Sequence, residues 1–137
     1  MVRAYLFDKY FTNIPSVVEF GCGTGHNLLA LAKQQPGKVV FGLDWSRQAL
    51  EHVKKLVEQG ITAYAFEFDL LNPTTDFLFP GQRALKSGVL TVGALEQIGK
   101  KFENFLCFLL SRQPPVIIRS LPLDRRKAPR LTESWFC

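Results

Sequence analysis

The chain of 137 residues has the length of one domain, and its 47% hydrophobic and 21% charged residues are typical of a globular protein. The longest apolar run, FLCFLL at 105–110, is too short to cross a bilayer, and the first residues contain no apolar stretch of signal-peptide length. We therefore expect a cytoplasmic protein without a membrane partner.

The net charge of +5 lies mostly near the end of the chain. Residues 1–111 hold 11 Lys/Arg and 10 Asp/Glu, whereas residues 112–137 hold 6 and 2. This distribution predicts a folded domain over 1–120 and a basic, irregular tail over 121–137. We do not expect a nucleic-acid partner, although an anionic partner for RRKAPR at 125–130 stays open.

The three cysteines are an odd number and widely spaced, at Cys22, Cys107 and Cys137. They form neither a disulfide framework nor a zinc pattern. We interpret them as reduced thiols, with Cys22 a small filler in a glycine-rich loop, and we expect no metal site.

In the first half of the chain, short β-rich runs alternate with helical periodicity. SVVEFG at 16–21 and KVVFGLD at 38–44 predict buried strands. HNLLALAKQQ at 26–35 and SRQALEHVKKLVEQG at 46–60 predict helices, the second with Ser46 as a candidate N-cap. Ahead of the first strand, the aromatic residues Tyr5, Tyr10 and Phe11 are candidates for part of a substrate lid.

The second half continues the same alternation. TAYAFEFD at 62–69, GVLTVGA at 88–94 and PPVIIRS at 114–120 predict three more strands, and apolar residues from Leu95 to Leu110 predict one long helix. Strands that alternate with helices indicate an α/β fold, a parallel sheet covered by helices on both faces.

The loop after the first strand carries Gly21, Gly23 and Gly25 at every second position, two residues after Glu19. A tight turn needs only one glycine, so this pattern indicates a backbone that a ligand approaches closely. The dinucleotide fingerprint G-x-G-x-x-G requires a third glycine at position 26, which is His26 here. This disfavours a dehydrogenase.

The segment VVEFGCGTG at 17–25 resembles the first motif of class I S-adenosylmethionine-dependent methyltransferases. The resemblance implies a Rossmann-like sheet in the order 3-2-1-4-5, with S-adenosylmethionine as cofactor and S-adenosylhomocysteine as its product. GALEQ at 93–97 is in addition similar to sugar O-methyltransferases.

The same resemblance assigns roles to the acids at the strand ends. Asp44, 23 residues after Gly21, would hold the ribose hydroxyls, and Trp45 would lie against the adenine. Asp69 would lie near the adenine amino group, and Glu19 near the ammonium group. The implied cofactor-binding residues are Glu19, Gly21, Cys22, Gly23, Gly25, Asp44, Trp45, Asp69, Leu70 and Gly93.

Each of these side chains also has a purely structural interpretation. Asp44 is placed to cap the helix that begins near Ser46, and Asp69 to begin the turn that leads to Pro73. Glu19 could pair with a lysine, and Trp45 could belong to the core.

The candidates for substrate contact or catalysis are Glu96, Gln97 and His26. Glu96 could instead be an acid in the first turn of the following helix, and His26 could have a packing or capping role. His52 is interpreted as a surface residue. The chain lacks the Asn/Asp-Pro-Pro-Tyr/Phe signature of enzymes that methylate planar nitrogens, which favours a small-molecule substrate.

The family's sheet ends in an antiparallel hairpin, and no sequence after Ser120 predicts one. We therefore expect a minimal or truncated methyltransferase, or a non-catalytic module that binds the nucleoside. The fifth strand would then be an edge, through which a homodimer could form.

Overall fold

The structure is a computed structural model that describes residues 2–74 and 86–119. The expected tail at 121–137 and any terminal hairpin lie outside the described residues. The helices are α1 (Val2–Phe11), α2 (His26–Gln34), α3 (Arg47–Lys54), α4 (Ala94–Ile98) and α5 (Glu103–Ser111), with 3-10 turns at Val57–Gln59 and Gly99–Phe102. The strands are β1 (Ser16–Phe20), β2 (Val39–Asp44), β3 (Ala63–Glu67), β4 (Gly88–Thr91) and β5 (Ile117–Arg119).

All five strands are parallel and lie in the order β3-β2-β1-β4-β5. This confirms the expected Rossmann-like α/β fold. In this order β2 and β3 follow on one side of β1, whereas β4 and β5 lie on its other side. Ligands bind at the carboxyl ends of the strands beside the point where the order switches, between β1 and β4.

The sheet separates two hydrophobic clusters. On one face Phe7 of α1, Leu28 of α2 and Val53 of α3 pack with strand residues such as Val17 and Val40. On the other face the buried residues are Val18, Phe20, Leu43, Phe68, Val89, Phe105 and Leu109, the last two from α5. Strand side chains alternate between the two faces of the sheet. In the part that the structure describes, helices pack against both faces.

Residues 2–11 form a helix that the sequence did not predict. Phe7 and Phe11 of α1 are 1% and 0% exposed, so the expectation that Phe11 belongs to a substrate lid is wrong. Phe11 packs against Gly88, where a Cβ atom would lie only 2.6 Å from the ring. The helix is therefore part of the core.

The long helix expected between β4 and β5 is also wrong. Gly99 adopts φ +57° and separates α4 from the 3-10 turn that precedes α5. β4 ends at Thr91, and Gly93, expected inside the strand, is the N-cap residue of α4.

Among the described helices, none has the length and apolarity that a bilayer span requires. Cys22 has a free, buried thiol. Cys107, by contrast, is disulfide-bonded, so the interpretation of all three cysteines as reduced thiols is wrong for that residue.

Candidate active site

Backbone hydrogen bonds hold the glycine loop against β2. The amides of Gly21 and Cys22 both donate to the carbonyl oxygen of Leu43, at 2.7 and 3.2 Å. Gly21 has φ +71°, and a Cβ atom there would lie 2.3 Å from the Cβ of Ala94. The first glycine is thus required because α4 packs directly against the loop.

Gly23 differs, because no described residue fills the space beside it. It has φ +53°, and in residues 2–74 and 86–119 no heavy atom lies within 4 Å of the position that a Cβ would take. Its amide donates to Oδ2 of Asp44 at 3.0 Å. At this residue the backbone is exposed toward an open space and is anchored from the side by a carboxylate.

Asp44, the last residue of β2, faces the loop as expected. It is 8% exposed, and its Oδ1 accepts from the amide of Ser46 at 2.9 Å. This hydrogen bond holds the N-cap residue of α3, which makes no side-chain cap of its own, so Asp44 also has the structural role at this helix start that the sequence left open. Each carboxylate oxygen accepts one backbone N–H and keeps a lone pair for a further donor.

A cavity of about 800 Å³ opens above this part of the loop. Its lining residues come from the loop, the ends of β2 and β3, α3 and α4. They are Gly21, Gly23, Thr24, Asp44, Trp45, Ser46, Gln48, Ala49, His52, Glu67, Asp69, Leu70, Leu71, Ala94, Gln97 and Ile98. The structure thus brings together seven predicted site residues: Gly21, Gly23, Asp44, Trp45, Asp69, Leu70 and Gln97.

Trp45 and Asp69 lie at the mouth of the cavity. The Trp45 side chain is 74% exposed, so the alternative that it belongs to the core is wrong. Asp69 does begin a turn, because its carboxylate accepts from the Leu71 amide at 2.8 Å and from Asn72 Nδ2 at 3.1 Å. These hydrogen bonds hold the pKa of Asp69 below its ordinary value.

Glu19 is not among the cavity-lining residues. It is 1% exposed, and its Oε1 accepts from Asn27 Nδ2 at 2.7 Å, so its partner is an amide and not the lysine considered from the sequence. Its Oε2 is buried without a hydrogen-bond partner among the described residues. Burial raises the pKa of Glu19 to about 8, although Asn27 and Arg3 oppose the rise.

Cys22 also points away from the cavity. Burial, with the nearby charges of Glu19 and Asp44, raises the pKa of its thiol to about 12. A thiol of this kind stays protonated near neutral pH, so Cys22 fills space under the loop and is no nucleophile.

The remaining predicted residues lie beside the cavity without lining it. Gly25 is the N-cap residue of α2, and Gly93 that of α4. His26 is exposed and shares a hydrogen bond of 3.0 Å with the Thr24 hydroxyl. Glu96 lies in the first turn of α4, the structural alternative that the sequence left open.

The sequence did not predict that side chains of α3 line the cavity. Gln48 and His52 line the cavity, so the interpretation of His52 as a mere surface residue is wrong. Their spacing of four residues places them on one side of an amphipathic helix, next to the apolar Ala49. That spacing was the available signal. In residues 2–74 and 86–119, no three His, Cys, Asp or Glu side chains come together as a metal would require.

Comparisons with known proteins decide the family. A family model described as a methyltransferase domain matches residues 17–84, the segment that contains the loop, Asp44 and Asp69. An uncharacterized methyltransferase of Emericella nidulans is 37% identical over 93 residues, which are 60% of this chain and 32% of that protein. The chain belongs to the class I S-adenosylmethionine-dependent methyltransferases.

Solved structures of this methyltransferase fold agree in architecture. The methyltransferase domain of bacterial CtHen1-C is 22% identical, with a TM-score of 0.67, over 88% of this chain and 62% of that one. The plantazolicin methyltransferase BpumL, in complex with S-adenosylhomocysteine, is 21% identical, with a TM-score of 0.61, over 85% of this chain and 44% of that one. This methyltransferase chain spans about a third of the length of the curated relative that it matches.

Proposed function

We propose that this chain binds S-adenosylmethionine in the cavity above the glycine loop and that its protein transfers the methyl group to a small molecule. The observation that carries the proposal is the exposed backbone at Gly23, held by the Asp44 carboxylate. An aminoacyl nucleoside needs both features, a main chain on which to lie and an acceptor for its ribose hydroxyls.

The residues around the cavity fit the parts of this cofactor. Asp44 retains lone pairs for the two ribose hydroxyls, and the exposed indole of Trp45 and the side chain of Leu70 offer surfaces for the adenine. Asp69, on the same side, is placed to accept from the adenine amino group. The start of α2 has no side-chain cap, so its N–H groups are suited to the carboxylate of the aminoacyl end.

When bound, the cofactor supplies a methyl group on a sulfonium that is already a good leaving group. The chain then needs chiefly to position the acceptor in line, an effect of up to about 7–11 kcal/mol. Gln97 of α4 lines the cavity and is the candidate that the geometry favours for substrate contact. Glu96 and His26 lie next to the cavity and stay candidates.

A small-molecule acceptor is supported by the cavity and by the sequence. The cavity of about 800 Å³ has the size of a small-molecule site, and the loop after β4 lacks the signature of enzymes that methylate nucleobases. The cytoplasmic location and a homodimer through the β5 edge stay predictions.

Calorimetric titration with S-adenosylhomocysteine tests the binding. We expect saturable heat with one site per chain, and none with a nicotinamide dinucleotide, which shares the adenosine but lacks the aminoacyl end. A folded sample that gave no heat with S-adenosylhomocysteine, or that preferred the dinucleotide, would contradict the proposal.

A non-catalytic nucleoside-binding module is the second candidate. It is favoured because two of the three candidates for catalysis, Glu96 and His26, do not line the cavity. Incubation with cofactor labelled in the methyl group and a broad metabolite pool separates the two, because only an enzyme transfers the label. Binding without transfer, from this chain and from any longer form of the protein, would favour the module.

A further inference from the structure

A chain of hydrogen bonds links the N-terminal helix to the buried acid below the glycine loop. Arg3 Nη1 of α1 donates to Asn27 Oδ1 at 3.0 Å, and Asn27 Nδ2 donates to Glu19 Oε1 at 2.7 Å. A guanidinium group only donates, so Arg3 fixes Asn27 Oδ1 as the acceptor and leaves Asn27 Nδ2 to donate to Glu19. The amide thus connects a cation at the surface with a carboxylate that is 1% exposed.

Helix α1 is held in place independently of Arg3. Lys38 Nζ donates to the carbonyl oxygens of Phe11, at 2.7 Å, and Ile14. Gln34 Nε2 donates to the carbonyl oxygen of Ala4 at 2.8 Å. Together with the buried Phe7, these contacts dock the helix so that Arg3 reaches Asn27.

The second oxygen of Glu19 is the unusual feature. Oε2 is buried without a hydrogen-bond partner in the part of the chain that the structure describes. Buried polar atoms in folded proteins nearly always have a partner, so such an atom calls for an explanation. Glu19 lies on β1 two residues before Gly21, which lines the cavity.

The groups around Glu19 act in opposite directions. Arg3 from α1 and Asn27 from α2 favour the charged carboxylate, whereas burial and the negative charge of Asp44 on β2 disfavour it. Cys22, in the loop, is neutral, and Leu90, the register partner on β4, is apolar. Arg3 is therefore a cation that favours the charged form of Glu19.

We propose that Arg3, acting through Asn27, is a positioning residue that favours the charged form of Glu19 beneath the glycine loop, so that its negative charge attracts the ammonium group of the cofactor bound above the loop. This inference rests on the proposed function, because S-adenosylmethionine carries that ammonium group. Since Arg3 belongs to α1, docking of the helix and binding of the cofactor stabilise one another.

Binding of the cofactor should release a proton from Glu19. Near neutral pH much of the ligand-free Glu19 is protonated, because burial raises its pKa to about 8. The arriving ammonium group favours the carboxylate, so the Glu19 proton leaves to solvent as the cofactor binds. Affinity then falls as pH drops below the pKa of Glu19, by up to about tenfold per pH unit.

The experiment compares Arg3→Met with Lys9→Met by titration with S-adenosylhomocysteine at two pH values. Lys9 lies on the exposed side of the same helix, over the Tyr5 and Tyr10 rings, so its loss removes the same charge without touching Asn27. We expect Arg3→Met to weaken binding about tenfold at neutral pH and much less about two pH units higher, relative to the unsubstituted chain at each pH. Arg3→Lys should restore part of the loss, and Lys9→Met should change neither value.

The outcomes separate the inference from the function on which it rests. If the unsubstituted chain binds no S-adenosylhomocysteine, the proposed function fails. If it binds but Arg3→Met loses affinity equally at both pH values, or behaves like Lys9→Met, the role of Arg3 is wrong. As a further check, Arg3→Met should have no additional effect in a chain that already carries Glu19→Gln, because the group on which Arg3 acts is then uncharged.

Discussion

Two carboxylates lie on adjacent strands beside one glycine loop, and their environments are opposite. Asp44 ends β2 at the cavity, and each of its oxygens accepts a backbone N–H. Glu19 lies inside β1, and among the residues that the structure describes only one of its oxygens has a hydrogen-bond partner. A carboxylate whose two oxygens both accept main-chain hydrogen bonds is a rigid acceptor for hydroxyl groups. The protonation state of a buried carboxylate with only one hydrogen-bonded oxygen depends instead on the charges around it.

The largest expected effect concerns Glu19 and the pH dependence of folding. Its pKa is about 8 in the folded chain against an ordinary value of 4.5, so folding favours the protonated form. The stabilisation is therefore complete below the ordinary pKa and is lost as pH rises toward about 8, by an amount on the order of 3–5 kcal/mol. Glu19→Gln, which is neutral at every pH, should remove this loss. Urea unfolding of the ligand-free chain across this range measures it.

Glu51→Gln is the matched control for that measurement. Glu51 is an exposed acid on α3 that pairs with Lys54, at 2.6 Å. A surface pair of this kind contributes little to folding, so the control should keep the pH dependence of the original chain. Equal pH dependence in Glu19→Gln and Glu51→Gln would show that Glu19 is no different from a surface acid.

Asp44 should show a smaller effect than Glu19. Asp44→Asn keeps the shape but replaces one acceptor by an NH₂ group, which faces a backbone N–H of Gly23 or Ser46. We expect binding of S-adenosylhomocysteine to weaken by about 1–3 kcal/mol, or roughly tenfold to a hundredfold, with a similar loss in folding stability. Calorimetry and urea unfolding measure the two losses.

Glu67→Gln sharpens the assignment to Asp44. Glu67 pairs in register with Asp44 and lines the same cavity, but it is exposed. If Glu67→Gln weakened binding more than Asp44→Asn did, the ribose acceptor would be on β3 and not on β2.

The sheet could be predicted because its signals are local. β-rich runs located all five strands, the first three of them ended by glycine or aspartate. The alternation with helices indicated parallel strands, and the family resemblance implied their order. The long helix failed because apolar periodicity continues past Gly99, whose positive φ breaks the helix. Helix α1 was missed because its buried side is formed by only Phe7 and Phe11.

The site could be predicted only as far as residues at strand ends. Asp44, Trp45 and Asp69 follow strands directly, and parallel strands bring their carboxyl ends to one edge. The direction in which a side chain points depends on the tertiary structure, so neighbouring residues in the sequence do not determine it. Glu19 and Cys22 therefore lie below the loop and not in the cavity. His52 reaches the cavity from α3, a helix whose position the periodicity predicted but whose orientation toward the cavity it did not.

The smallest expected effect belongs to Trp45, which lines the cavity beside Asp44 but is not one of the two carboxylates compared above. Its side chain is 74% exposed, so Trp45→Ala should leave folding unchanged while removing a surface for the adenine. We expect a loss of about 1 kcal/mol, or roughly fivefold, in affinity for S-adenosylhomocysteine, and Trp45→Phe should retain most of it. Quenching of indole fluorescence on titration checks the contact in the unsubstituted chain. A full loss of binding in Trp45→Ala would mean that the indole, and not the carboxylate of Asp44, anchors the nucleoside.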